Sequence, residues 1–257
     1  MREYGRRMLR DRRHELILRV LRSEGPVTAE TLAERLAASL ATIRRDLQKL
    51  DEEGLLKRVH GGAMPVEGHD DPFTDVAEVR PAEKNAVALR CAELIQDGET
   101  VLLDIGTTAH MVARHLRGRA LTVVTSSLPV VETLADDQHV QLVVLGGMLR
   151  RDYRSLVGYL TEDNLRQIHA DRLVLGTSGI RPTGTVMDTT VVEVPVKRAM
   201  IAASGQVVLV ADAGKFPGTG MAKVCDATDL DVVITNAPVD PDTGAALADA
   251  GVQVLEV

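Results

Sequence analysis

The chain has 257 residues, 45% hydrophobic and 26% charged, which is length and apolar content enough for one large domain or a small domain beside a larger one. Its net charge of −7 is uneven, with 14 Lys+Arg against 10 Asp+Glu in residues 1–64 and 16 against 27 in the remainder, so only the front of the chain favours a polyanion and a protein that coats nucleic acid along its whole length is excluded. Two cysteines, Cys91 and Cys225, exclude a disulfide scaffold and form no metal-ligand pattern.

Residues 12–23 carry Leu16, Ile17, Val20 and Leu21 at helical spacing, and Gly25-Pro26 breaks the pattern. A shorter helix begins near Thr28, its cap, with Leu32, Ala33 and Leu36 facing a small core. Residues 37–39 read as the tight turn of a helix-turn-helix. A third helix starts at the N-cap Ser39 and stops at Gly54. At about 100° per residue, Ile43, Leu47 and Leu50 line one stripe, while Ala41, Thr42, Arg45, Gln48 and Lys49 project from the other side. Residues 55–59 read as a strand, and Gly61-Gly62 permits the sharp turn of a hairpin. Residues 1–64 are therefore predicted to be a winged helix-turn-helix.

Small, polar and cationic groups on a helix suit the major groove of double-stranded DNA. Arg45, opposite the stripe, is placed to reach guanine O6 and N7, and Arg44 on the flank to grip phosphate. Lys57, Arg58 and His60 on the wing add backbone contacts. With the caps Thr28 and Ser39 these residues form the candidate DNA-binding set. The plainer alternative makes Arg44 and Arg45 a solvated face or partners of Asp46.

Residues 65–81, with Gly68-His69-Asp70-Asp71-Pro72, lack a sustained period and read as a linker. Residues 82–257 alternate helical segments with Val/Leu-rich runs at 100–104, 121–125, 141–145, 172–175, 206–211, 231–235 and 252–257. Strands apolar on both faces indicate a largely parallel α/β sheet. Ligands of such sheets collect beyond the carboxyl ends of the strands. There the chain places Asp104, Gly106, Thr107 and Thr108 before a helix over 109–116, then Ser126 and Ser127, then Gly146 and Gly147 with Arg150 and Arg151 beyond them. Ser178 and Gly179 follow the fourth strand, and Lys215 the fifth. Together these glycines, hydroxyls and helix starts are placed to cradle an anion with Lys215 as its cation, whereas taken singly Lys215 reads as an exposed loop lysine and Gly-Thr-Thr as an ordinary helix start. Asp104 is read either as an acceptor for a sugar hydroxyl or as a helix cap. Glu193 and Lys197, four apart, read as a helix-surface pair.

Thr-Ile-Arg-Arg-Asp-Leu, followed by Glu-Gly-Leu-Leu-Lys-Arg-Val-His-Gly-Gly-Ala, resembles the signature of the DeoR/GlpR family of bacterial transcriptional regulators. Leu-Asp-x-Gly-Thr-Thr, Val-Val-Thr-x-Ser-Leu, Leu-Gly-Gly, Gly-x-Ser-Gly-Ile, Val-Lys-Arg-Ala-Met and Asp-x-x-Lys-Phe are similar to that family's sensor region, in order. The resemblance implies a winged helix that binds operator DNA and a sensor domain, similar to the sugar-phosphate isomerase fold, that binds a phosphorylated sugar. Gly-Thr-Ser-Gly-Ile stands where isomerases carry proton-moving acids, which implies binding without catalysis. Ser126, Gly214 and Pro195 depart from the family pattern.

The expected function is a ligand-controlled repressor of sugar or carbon metabolism genes, neither an enzyme nor a user of metal or cofactor, acting as a homo-oligomer, a dimer or higher. The competing reading is a sugar-phosphate isomerase or deaminase with a DNA-binding head; a third class is a protein-binding scaffold. With no signal or membrane run in the sequence, a soluble cytoplasmic protein without a membrane partner is expected.

Overall fold

The computed structural model describes residues 26–65, 72–218 and 220–257, together with residues 10, 12–14, 16–18, 20 and 21. Internal packing divides the chain into two units, Met1–Asp71 and Pro72–Val257. Gly25, part of the expected first break, and Gly68 to Asp71, in the expected linker, lie outside the described residues.

In the first unit the described residues from 10 to 21 are helical, and helices Ala29–Arg35 and Leu40–Glu52 follow. Thr28 and Ser39 each cap a helix: Thr28 Oγ1 accepts from Thr31 N and Ser39 Oγ from Thr42 N, both at 3.2 Å. Gly54 ends the longer helix in the left-handed region, φ +73°, and Leu55 N donates to Leu50 O at 2.9 Å. Strands β1 (Val27–Thr28), β2 (Leu56–Val59) and β3 (Gly62–Pro65) make an antiparallel sheet in the order β1-β3-β2. Two details differ from the sequence reading. β1 is too short to carry a period. Gly61 supplies the turn at φ +81°, but Gly62 serves close approach, since a Cβ there would stand 2.2 Å from Val27 O. Ile17, Leu21, Leu32, Ile43, Leu47, Leu50 and Leu56 are fully buried together. Each such side chain contributes about 1.5–3 kcal/mol of transfer free energy.

The second unit is built on seven parallel strands. In chain order its strands are β4 (Thr100–Leu103), β5 (Leu121–Thr125), β6 (Val140–Val144), β7 (Met148–Arg150), β8 (Ser155–Val157), β9 (Ala170–Gly176), β10 (Gly179–Ile180), β11 (Val186–Asp188), β12 (Ser204–Val210), β13 (Ala222–Cys225), β14 (Val232–Thr235) and β15 (Gln253–Glu256). The large sheet runs β15-β14-β12-β9-β4-β5-β6. Its order reverses between β4 and β9, which makes their carboxyl ends the topological switch point.

Alternate residues serve opposite faces, as a two-residue period requires. Val101, Leu103, Val123, Val208 and Ile234 pack in one cluster with helices Pro81–Leu94, Thr107–Leu116 and Leu128–Leu134. Leu102, Val124, Leu173, Leu209 and Val233 pack in a second with helices Tyr159–Leu165, Val194–Ala202 and Pro241–Asp249. All seven expected strands are present within a residue or two of the read bounds. The β7-β8 hairpin and the small antiparallel sheet β10-β11-β13 were not expected, because runs of two to four residues carry no readable period. Helix Phe73–Glu78 also falls inside the expected linker, so residues 72–81 belong to the second unit.

Candidate functional site

In the first unit, helix Leu40–Glu52 buries Ile43, Asp46, Leu47 and Leu50 and leaves Ala41, Arg44, Arg45 and Gln48 exposed, with Thr42 and Lys49 half-buried. Asp46 does not serve the neighbouring arginines. It faces inward and takes Arg13 Nε at 2.6 Å, Arg13 Nη2 at 3.2 Å and His14 Nε2 at 3.0 Å. Arg44 lies 3.7 Å from Glu30, whereas Arg45 has no ion pair or hydrogen bond among the described residues. Lys57, Arg58 and His60 are exposed on the wing, and Asp51 Oδ1 accepts from Arg58 N at 2.9 Å, tying that strand to the helix. The helix that carries the cationic face is thus tied to its surroundings through Asp46 and Asp51.

In the second unit, Asp104 caps no helix; its Oδ2 is engaged, while its Oδ1 is buried without a hydrogen-bond partner among the described residues. It is 1% exposed and hydrogen-bonded by the Lys197 ammonium and by Gly176 N, the latter at 2.9 Å. Lys197 is 3% exposed and reaches Gly176 O at 3.2 Å and Asp188 Oδ2 at 3.5 Å. The expected Glu193–Lys197 surface pair is therefore wrong: Glu193 is also buried and pairs with Arg150. Burial by itself would pull the Lys197 ammonium down, but the Asp104 and Asp188 carboxylates outweigh it and hold Lys197 above the ordinary lysine range. Tyr153 stands beneath the Arg150 guanidinium, 5.6 Å from its ring centroid, and burial pushes its phenol up to about 12.

Thr107 and Thr108 lie buried in the first turn of helix Thr107–Leu116, behind its N-cap Gly106. Ser126 and Ser127, fully buried past β5, carry hydroxyls without a hydrogen-bond partner among the described residues. Ser178 Oγ accepts from Thr189 N at 3.2 Å, and Gly179 pairs with Met187 in the small sheet. Lys215 sits on the turn Ala213–Lys215, capped by Asp212, which accepts from Gly214 N at 2.9 Å. Burial lowers the Lys215 pKa against the pull of Asp212 and Asp188. Gly146 and Gly147 are taken up in packing: Gly146 accepts from Thr161 Oγ1 at 2.7 Å and donates to Asn164 Oδ1 at 3.1 Å, and a Cβ at Gly147 would overlap Thr161. Arg151 is exposed in the β7-β8 turn.

Sequence reasoning missed the charged residues that the fold brings to this edge, namely Arg80, Lys84, Asp188 and the buried roles of Arg150, Glu193 and Lys197. The signal for two of them was helical phase. Lys84 shares a stripe with Val87, Ala88 and Cys91, and Lys197 one with Val194 and Met200, all buried. Lys84 is 3% exposed; burial, then the nearby Lys215, lowers its pKa to about 8.

A winged helix with an outward cationic face and an α/β unit with a polar, cation-bearing switch point define a DNA-binding regulator with a ligand-sensing domain. Residues 13–67 match the DeoR-like helix-turn-helix domain and residues 79–237 the DeoR C terminal sensor domain. The chain belongs to the DeoR family and is a transcriptional repressor that binds DNA through its helix-turn-helix and senses an effector through its C-terminal domain. It is 35% identical over 249 residues to the glycerol-3-phosphate regulon repressor of Escherichia coli K12, covering 96% of this chain and 99% of that one. It is 37% identical over 229 residues to the transcriptional repressor AccR of Agrobacterium fabrum, covering 88% and 89%. These relatives are repressors, not enzymes. Among solved structures, ribose 5-phosphate isomerase A of Neisseria gonorrhoeae aligns with a TM-score of 0.36 at 18% identity over 51% of this chain and 52% of that one.

Three measurements check the geometry. Arg45→Ala should weaken binding to a selected site and relax preference at one base pair by about 1–3 kcal/mol, whereas Lys57→Ala should weaken all duplexes alike and lower the salt slope by about one. Lys197→Met strands two buried carboxylates and should cost about 3–5 kcal/mol in denaturant unfolding of the second unit. Lys84, faced by Arg80, Glu83, Asp212 and Lys215, binds its proton less tightly folded than unfolded. Between about pH 8 and the ordinary lysine pKa of about 10.4 the unfolded chain therefore holds more protons, and this group makes stability rise with pH. Lys84→Met should remove that slope from the stability–pH profile.

Proposed function

We propose that this repressor controls genes of sugar or carbon metabolism and that its effector is a phosphorylated sugar or polyol held at the carboxyl edge of the large sheet. The residues assigned to it are those of the 106–108 helix start, Ser126, Ser127 and Lys215. The observation that carries this reading is electrostatic: each buried carboxylate of the edge is held by a cation, Asp104 and Asp188 by Lys197, Glu193 by Arg150 and Asp212 by Arg80. Such an edge binds an anion and has no carboxylate poised to move a proton, as aldose–ketose isomerisation requires. The Escherichia coli relative's name makes glycerol 3-phosphate the first compound to try.

One helix and one wing bury too little DNA for typical specific affinity, so the repressor acts as a dimer or higher oligomer on a symmetric or repeated operator. The effector works by preferring the arrangement whose heads do not match the operator spacing. The test is selection of bound sequences from random duplexes, followed by competition with glycerol 3-phosphate and hexose phosphates. A two-fold or repeated site is expected, with one phosphorylated compound releasing it at least tenfold and the unphosphorylated parent inert. Release by the unphosphorylated parent alone, or turnover of the phosphate by the protein, would overturn the reading.

A further inference from the structure

The start of helix Pro81–Leu94 brings two cations to the turn that carries Lys215. Arg80 Nη1 lies 3.5 Å from Asp212 Oδ1, and the guanidinium rests on Gly214 so closely that a Cβ there would stand 2.7 Å from Nη1. Lys84 is buried, yet its ammonium forms no ion pair among the described residues and donates to Val76 O at 2.5 Å. An ammonium has three N–H donors, so two remain. The Lys215 ammonium forms no ion pair or hydrogen bond among the described residues, and it lowers the protonation of Lys84. Asp212 is the carboxylate in contact, and it already accepts from Gly214 N.

Of the carboxylates near these cations, Asp212 is the one in contact with Arg80, Asp188 is engaged by Lys197, and Glu83 lies beside Lys84 on its own helix, so the Lys84 and Lys215 ammonium groups keep donors to offer an anion. A phosphate monoester, with a second pKa of about 6, brings more negative charge and more acceptor oxygens at neutral pH than a carboxylate ligand. We propose that Arg80, Lys84 and Lys215 form the seat of a phosphate dianion, the phosphoryl end of the effector, with Lys84 linking it to the Val76 carbonyl. The inference rests on the effector reading above and adds Arg80 and Lys84 to it. Val76 lies in helix Phe73–Glu78, the first helix of the sensor unit, which follows the segment joining it to the DNA-binding unit. A bound dianion keeps Lys84 charged and so tightens that helix.

The experiment uses the full chain and inorganic phosphate as the probe, against chloride at equal ionic strength. Calorimetry should show saturable binding to wild type that weakens tenfold or more in Lys84→Met and Lys215→Met. In Gly214→Ser, where the new Cβ displaces the flexible guanidinium, it should weaken several-fold. Arg90→Met, an exposed change at the Arg90–Glu93 pair on the same helix, should bind as wild type does. Hydrogen exchange over residues 73–78 should slow with phosphate in wild type and not in Lys84→Met. Absence of saturable binding to wild type, or equal binding by folded Lys84→Met and Lys215→Met, would overturn the seat. If Lys84→Met fails to fold, Lys215→Met and Gly214→Ser decide the matter alone. Should phosphate fill the seat while no phosphorylated compound alters operator binding, the effector reading fails and the seat stands; should such compounds release DNA equally from wild type and Lys84→Met, the seat fails and the effector reading stands.

Discussion

A lysine ammonium closed off from water between two carboxylates holds the carboxyl edge of the large sheet together. Lys197 belongs to a helix on one face, Asp104 to the end of β4, Asp188 to the end of β11, and Gly176 closes β9. Removing each charge from water costs several kcal/mol, which the attraction of Lys197 to both carboxylates offsets, leaving Asp104 Oδ1 without a hydrogen-bond partner among the described residues. The arrangement crosses the seam where the strand order reverses.

That arrangement decides which groups of the edge remain for a ligand. Carboxylates that would repel a phosphate or take a proton from a sugar are held by Lys197 and Arg150. The third-strand glycines are used in packing against Thr161 and Asn164. The same edge carries the start of helix Thr107–Leu116, two serine hydroxyls and, at Lys84 and Lys215, ammonium groups without an ion pair among the described residues. Net charge could not reveal cations placed in this way within an acidic body.

The head uses charge in the converse way. Asp46 lies on the inner side of its helix, engaged by Arg13 and His14, so the cations around Arg45 are not cancelled by the acid next to them in sequence. Asp51 ties the wing to the same helix through Arg58 N.

Periodicity and caps made the winged helix and all seven large strands legible in the sequence, because those signals are local: Ser39 caps its own helix, Gly54 ends it, and buried strands are apolar on both faces. The candidate edge was legible too, since a parallel sheet places every strand's carboxyl end on one side. Sequence alone could not assign partners to the charges. Glu193 and Lys197 are one turn apart and look like a surface pair, yet each is drawn to a residue distant in sequence, Arg150 in one case and Asp104 in the other. Arg80 and Lys84 lay in or beside what read as a linker, and only tertiary packing brings them to Lys215 and Asp212. The reason is physical. Hydrophobic burial and backbone capping are set by neighbours along the chain, whereas the energy of a buried charge depends on whatever the fold brings within a few ångströms of it.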